Sequence, residues 1–166
     1  RSINFLGNKA FDDDRLREEI ITSETRWWRF FSSTDSYDPD RLNYDRQRLR
    51  RFYLSKGYAD FRVINSSAEL TRNGEEFFVV FNIDEGELFT FGPGKVSSTV
   101  ESIDVESLQS AIVHEEGSKY DLRKIEDTED ALTKLLGEKG FAFADIRART
   151  RRDSEANLIL VEYVIE

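Results

Sequence analysis

Residues 56 to 63 read KGYADFRV, and a near copy, KGFAFADI, runs from Lys139 to Ile146. Gly57 and Gly140 stand 83 positions apart in a chain of 166 residues, so the phrase recurs at about half the chain length. In both copies a lysine and a glycine follow an apolar stripe of helical spacing. Glycine can take the left-handed backbone that ends a helix, and a cation suits the negative end of the helix dipole. The aromatic and the alanine that come next are expected to enter a core, and the rest to begin a strand.

Outward from the two copies the same order of signals repeats. Before the first, Leu42, Leu49, Phe52 and Tyr53 lie on one helical face, with Asp38 as N-cap and Pro39 at the first helical position. Before the second, Ile125, Thr128, Leu132, Leu135 and Leu136 make the matching stripe, and Tyr120-Asp121 takes the place of Tyr37-Asp38. After each copy comes an extended segment, then a turn, then a return strand. The first turn is Arg72-Asn73-Gly74 and the second lies between Asp153 and Asn157.

Each half also opens alike. SINFL, Ser2 to Leu6, alternates as a strand and Gly7-Asn8 turns. Asp12 then caps a helix that carries Leu16 and Ile20, places Asp13 and Asp14 in its first turn, and ends near Ile21 or Thr22. In the second half a first strand within residues 88–100 is interrupted by Gly92-Pro93-Gly94, and Asp104 is placed as the cap of a helix carrying Leu108 and Ile112. The predicted fold class is α+β, two tandem β-α-α-β-β units over residues 1–86 and 87–166. The boundary falls near DEGELF, residues 84–89, without a Ser/Gly/Pro-rich linker, so limited relative motion is expected.

Composition narrows the function. There are no cysteines, hence no disulfide, thiolate nucleophile or cysteine-bound metal. A net charge of −9 argues against nonspecific nucleic-acid binding. No apolar run approaches the roughly 18 residues that would span a bilayer as a helix. The first residues lack the apolar core of a signal peptide, and the chain reads as a piece of a longer protein.

INFLGNKAF (residues 3–11), LRRFYLSKGYADFRV (49–63) and FNIDEGELF (81–89), taken in that order, resemble the POTRA (polypeptide-transport-associated) repeat of the BamA/Omp85 family. The first half resembles a third repeat, because of Trp27-Trp28 in its inter-helix connection. The second resembles a fourth, through LLGEKGFAFADIRA at 135–148, although its first strand has Gly92-Pro93-Gly94 where the family has Gly-Asn. The resemblance implies, for each unit, a three-stranded mixed sheet in the order first, third, second, with two antiparallel helices on one face. It implies a periplasmic, non-enzymatic arm of an outer-membrane protein that scaffolds accessory lipoproteins and receives unfolded outer-membrane protein strands. A C-terminal β-barrel, absent here, would hold the membrane. A POTRA pair of another Omp85-type or two-partner-secretion transporter is the alternative.

Site candidates follow. The second strand of the first unit, Arg62, Val63, Ile64, Asn65, Ser66, Ser67, Ala68, Glu69 and Leu70, is a candidate edge for strand addition; an ordinary edge that binds nothing is the plainer reading. Arg147, Arg149 and Arg151 alternate and share a face, either as a cationic surface or as edge protection. Trp27 and Trp28 are a candidate hot spot or loop core. Phe78 and Val80 alternate with Phe77, Val79, Phe81 and Ile83, so one set faces the helices and the other leaves an apolar patch; Phe78 and Val80 are the candidate contact, and cover by a loop or the adjoining domain is the plainer reading. Asp12, Asp13 and Asp14 lack the ligand pattern of a calcium loop and read as helix capping. His114, the only histidine, has no nucleophile or second histidine to support catalysis. An enzyme built on Glu115-Glu116 or on Asp127, Glu129 and Asp130 is the rival from another class. No cofactor or metal is expected.

Overall fold

The computed structural model describes residues 2–21, 39–74 and 77–166. Trp27, Trp28 and the expected cap Asp38 lie outside the described residues. The elements are β1 (Ser2–Leu6), α1 (Asp13–Ile21), α2 (Pro39–Ser55), β2 (Arg62–Leu70) and β3 (Phe77–Asp84), then β4 (Thr90–Phe91), β5 (Lys95–Ser98), a 3-10 turn (Glu106–Ala111), α3 (Leu122–Glu138), β6 (Ile146–Asp153) and β7 (Leu158–Ile165). The chain divides into two compact units, one of Arg1–Leu54 and Asp60–Gly86, the other of Ser55–Ala59 and Glu87–Glu166.

In the first unit β3 is central, parallel to β1 and antiparallel to β2. Its alternation sends Val79, Phe81 and Ile83 inward, where β1 adds Ile3 and Phe5. Leu16 and Ile20 of α1 and Leu49, Phe52 and Tyr53 of α2 complete this core; Leu42 is only half-buried, and Leu54 is buried. Burying each such side chain contributes roughly 1.5–3 kcal/mol before ordering costs. α1 starts where expected: the Asp12 carboxylate accepts a hydrogen bond from Arg15 N at 2.8 Å. Asp13 accepts one from Asn8 Nδ2 at 2.7 Å, and Asp14 pairs with Arg17 at 2.7 Å, so all three aspartates are engaged locally.

The three sequence motifs of this unit meet at one carboxylate. Glu85 is buried, and its oxygens accept hydrogen bonds from Lys9 N (2.8 Å), Ala10 N (3.0 Å) and the Tyr53 hydroxyl (2.8 Å). It thereby ties the β1–α1 loop, the end of α2 and the end of β3. Gly7 allows the approach: its φ is +92°, and a Cβ there would sit 2.1 Å from Ile83 O.

In the second unit β7 is central. β4 and β5 run parallel to it along one side, and β6 runs antiparallel along the other. The break between β4 and β5 is the Gly92-Pro93-Gly94 interruption. Asp121 caps α3, accepting from Arg123 N at 3.0 Å, and Ile125, Thr128, Leu132 and Leu136 are buried along it, while Leu135 is half-buried. Gly57 and Gly140 both have positive φ, +99° and +90°, as helix stops require.

Two expectations are corrected. The first helix of the second unit is a six-residue 3-10 turn, not an α-helix, and Asp104 lies outside it, accepting from Glu106 N. The chain is already extended at Ile112, because the Gln109 side chain pins the turn to β5, accepting from Val96 N and donating to Gly94 O. The residues after the two glycines also differ. Tyr58 and Ala59 are half-buried, as is Phe141, the counterpart of Tyr58, but Ala142 is exposed. Phe61 is buried and stacked 4.2 Å from Tyr53, whereas Ala144 and Leu136 stand at the corresponding positions of the second copy, and Phe143, at the position of Asp60, is fully exposed.

Candidate functional site: strand edges and outer sheet faces

β2 lies at the border of its sheet and pairs, among the described residues, with β3 alone. Its pairing places Val63, Ser66 and Ala68 on the helix side, opposite Ile83, Phe81 and Val79. Arg62, Asn65, Ser67 and Glu69 lie on the outer side, all exposed, and Arg62 makes an exposed ion pair with Asp84 at 3.2 Å. The edge is not uniform. The register shifts between Val63 and Asn65, so Ile64 is an extra residue in a bulge, 54% exposed. A bulge twists an edge away from simple pairing. The sequence carries no local sign of it, since RVINSSAEL has no glycine or proline.

The outer face of the same sheet holds Phe78, 44% exposed, and Val80, half-buried. Leu6 belongs with them, 57% exposed, opposite Asn82 on the outer side of β1. The alternation of SINFL, which buries Ile3 and Phe5, could have placed Leu6 on the opposite face.

β6 is the corresponding edge in the second unit. It pairs with β7 over eight positions without a register shift. Arg147, Arg149 and Arg151 do share its outer side, opposite Val164, Glu162 and Leu160. Arg147 reaches Asp145 at 3.4 Å and Glu166 at 3.9 Å, and Arg149 reaches Glu166 at 3.7 Å. Arg152 points to the other side, over the Phe89 ring at 5.7 Å.

The groups of the enzyme rival are dispersed. His114 is buried, stacked on Phe91 at 4.1 Å, with Nε2 at 2.8 Å from the Tyr163 hydroxyl. Burial, then the Lys124 charge, lowers its pKa, while burial pushes the Tyr163 phenol up to about 12. Glu115, Glu116, Asp127 and Asp130 are exposed, and Glu129 accepts a hydrogen bond from Ala148 N. Among the described residues no three acidic, histidine or cysteine side chains gather as metal ligands, and no helix is long and apolar enough to cross a membrane.

Comparison with known proteins agrees with this architecture. The family model POTRA, described as a surface antigen variable number repeat, matches residues 1–86 and again 92–166. The chain is 26% identical over 165 residues to the outer membrane protein assembly factor BamA of Neorickettsia risticii, covering 99% of this chain and 22% of the relative. It is 25% identical over 170 residues to BamA of Nitratidesulfovibrio vulgaris, covering 99% and 21%. It thus spans about a fifth of the length of these relatives. Among solved structures, POTRA3-5 of Haemophilus influenzae BamA shares its fold with a TM-score of 0.76 at 18% identity, covering 99% of this chain and 64% of that one. BamA of Haemophilus ducreyi lacking POTRA domains 1-3 gives 0.67 at 12% identity, covering 100% and 29%. The chain therefore belongs to the POTRA family, as a tandem pair of repeats of the BamA/Omp85 kind.

Proposed function

We propose that this chain is part of the periplasmic arm of a BamA-like assembly factor, its units corresponding to a third and a fourth repeat. In this reading it binds accessory lipoproteins and unfolded outer-membrane protein strands, partly by strand addition at Arg62 to Leu70. The supporting observation is a sheet border whose outer residues are exposed and which, among the described residues, pairs on one side only. An edge strand offers N–H and C=O groups to any extended chain, so pairing draws on the guest's backbone and tolerates varied sequences. That suits a receptor for many different strands and needs no chemical energy source. Leu6, Phe78 and Val80 would serve a lipoprotein, whose apolar contact they match better than a hydrogen-bonded strand does.

Chemical-shift mapping with peptides copied from outer-membrane strands tests the reading. Shifts are expected along residues 62–70. Shifts confined to the helices, with that edge silent, would overturn it.

A further inference from the structure

The second unit carries a strand edge that is partly closed by its own side chain. Asp145 and Glu166 exchange both backbone hydrogen bonds, each at 2.9 Å. In an antiparallel ladder such pairs alternate with pairs that exchange none, so the next positions, Ile146, Ala148 and Thr150, turn their N–H and C=O groups toward the open side. Ala148 agrees: its N–H donates to Glu129 Oε1 of α3 at 3.2 Å and not to β7. A carboxylate oxygen therefore sits where the carbonyl of an added strand would sit.

The opposite border of this sheet is closed more fully. Gln109 engages Val96 N on β5 and Gly94 O just before it, and β4 with the residue before it is bonded along residues 117–120, with Phe91 N donating to Ser118 O and Tyr120 N donating to Phe89 O. On β6 Glu129 holds the outward donor of Ala148. Arg149 and Arg151 flank it on the outer face, and the acidic contacts of Arg147 and Arg149 are exposed and exchangeable.

We propose that β6 is a strand-acceptor edge latched by Glu129, and that its guest is an antiparallel extended segment bearing acidic side chains at alternate positions. This rests on the strand-addition reading above and moves the preferred acceptor from bulged β2 to unbroken β6. An antiparallel guest would hydrogen-bond at Ile146, Ala148 and Thr150. Its residues opposite Arg147, Arg149 and Arg151 would then fall in the non-hydrogen-bonded pairs, where facing side chains approach most closely. Antiparallel pairing is the commoner kind and continues the sense of the β6–β7 ladder. The acidic preference rests on the three arginines, while Glu129 marks the place of the guest's backbone carbonyl. As the guest enters, its carbonyl takes the Ala148 N–H and Glu129 swings into solvent.

The test uses the 15N-labelled two-unit chain and two ten-residue peptides, one alternating Thr with Glu and one alternating Thr with Lys. The Glu peptide is expected to shift the amides of residues 146–152. Glu129→Ala should tighten its binding on the order of tenfold, by removing a competitor for one charge-assisted hydrogen bond. The doubly substituted R149E/R151E chain should prefer the Lys peptide. Both variants replace partly or fully exposed side chains, and a dispersed amide spectrum confirms folding. If β2 responds while β6 stays silent in Glu129→Ala, the assignment to β6 is overturned and strand addition stands. Silence at both edges would overturn strand addition itself. Equal response of β6 to both peptides would overturn the acidic preference.

Discussion

Two buried polar residues show what single side chains contribute. Glu85 accepts three hydrogen bonds from two loop amides and a tyrosine, so Glu85→Ala leaves three donors without their acceptor. Unfolding in urea is expected to show a loss of about 2–4 kcal/mol, against about 1 kcal/mol for Tyr53→Phe, which removes the hydroxyl's bond to Glu85. Equal losses for the two would contradict the network. His114 gives a pH dependence. Its folded pKa lies below the ordinary 6.5, because burial and the Lys124 charge disfavour the imidazolium. The unfolded chain therefore takes up this proton first as pH falls. The contribution to stability is full above about 6.5 and is lost as pH drops toward the folded value. Asp121 shifts the other way in cause: burial alone would raise its pKa, but hydrogen bonds from Arg123 and the Arg123 and Lys124 charges outweigh it and leave it lowered. Its contribution is lost only below its ordinary 3.8. Thermal melts between about pH 7 and pH 5 should thus show a falling midpoint that flattens in His114→Gln. An unchanged slope in that variant would rule out His114 as the cause.

At the scale of elements, much was legible because the signals are local. The N-cap Asp12, the stripe Leu49-Phe52-Tyr53 and the stop at Gly57 each depend on neighbours a few positions away, and the stripe and the stop recur with the same spacing in α3. Gly140 offers a clean measurement, since its φ is +90° and a Cβ there meets nothing within 4 Å. Gly140→Ala should therefore cost about 1 kcal/mol through backbone strain alone, read as a lowered denaturation midpoint with unchanged slope. No loss would mean that α3 can end in another way. What escaped the sequence depends on distant partners. The spacing of Leu108 and Ile112 suits an α-helix, yet the Gln109 bonds to β5 and the hydrogen bond from Val113 N to Thr128 Oγ1 hold that segment to a 3-10 turn and an extended exit. The bulge at Ile64 and the contact of Glu129 with Ala148 are likewise set by strand register, which no short window of sequence contains.

For the whole chain, the repeat read from two glycines is a repeat of architecture with divergent detail. Both units set a central strand between a parallel and an antiparallel neighbour. The first locks its motifs through Glu85 and Tyr53; the second has Leu136 in place of the tyrosine and builds its core around His114, Tyr163 and Thr128 instead. The edges diverge as well, one bulged and polar, the other unbroken and basic. The border position of residues 62–70 is implied by the POTRA resemblance, and the sheet order β1-β3-β2 agrees with it. Which border accepts a guest depends on hydrogen-bond parity along the ladder. Hydrogen exchange of the backbone amides, with and without an unfolded outer-membrane protein kept soluble in dilute urea, tests the central claim most directly. Strand addition predicts slowed exchange in residues 62–70 or 146–153 when the guest is present. Binding that leaves both segments exchanging at their free rates, with protection only on α1, α2 or α3, would contradict it.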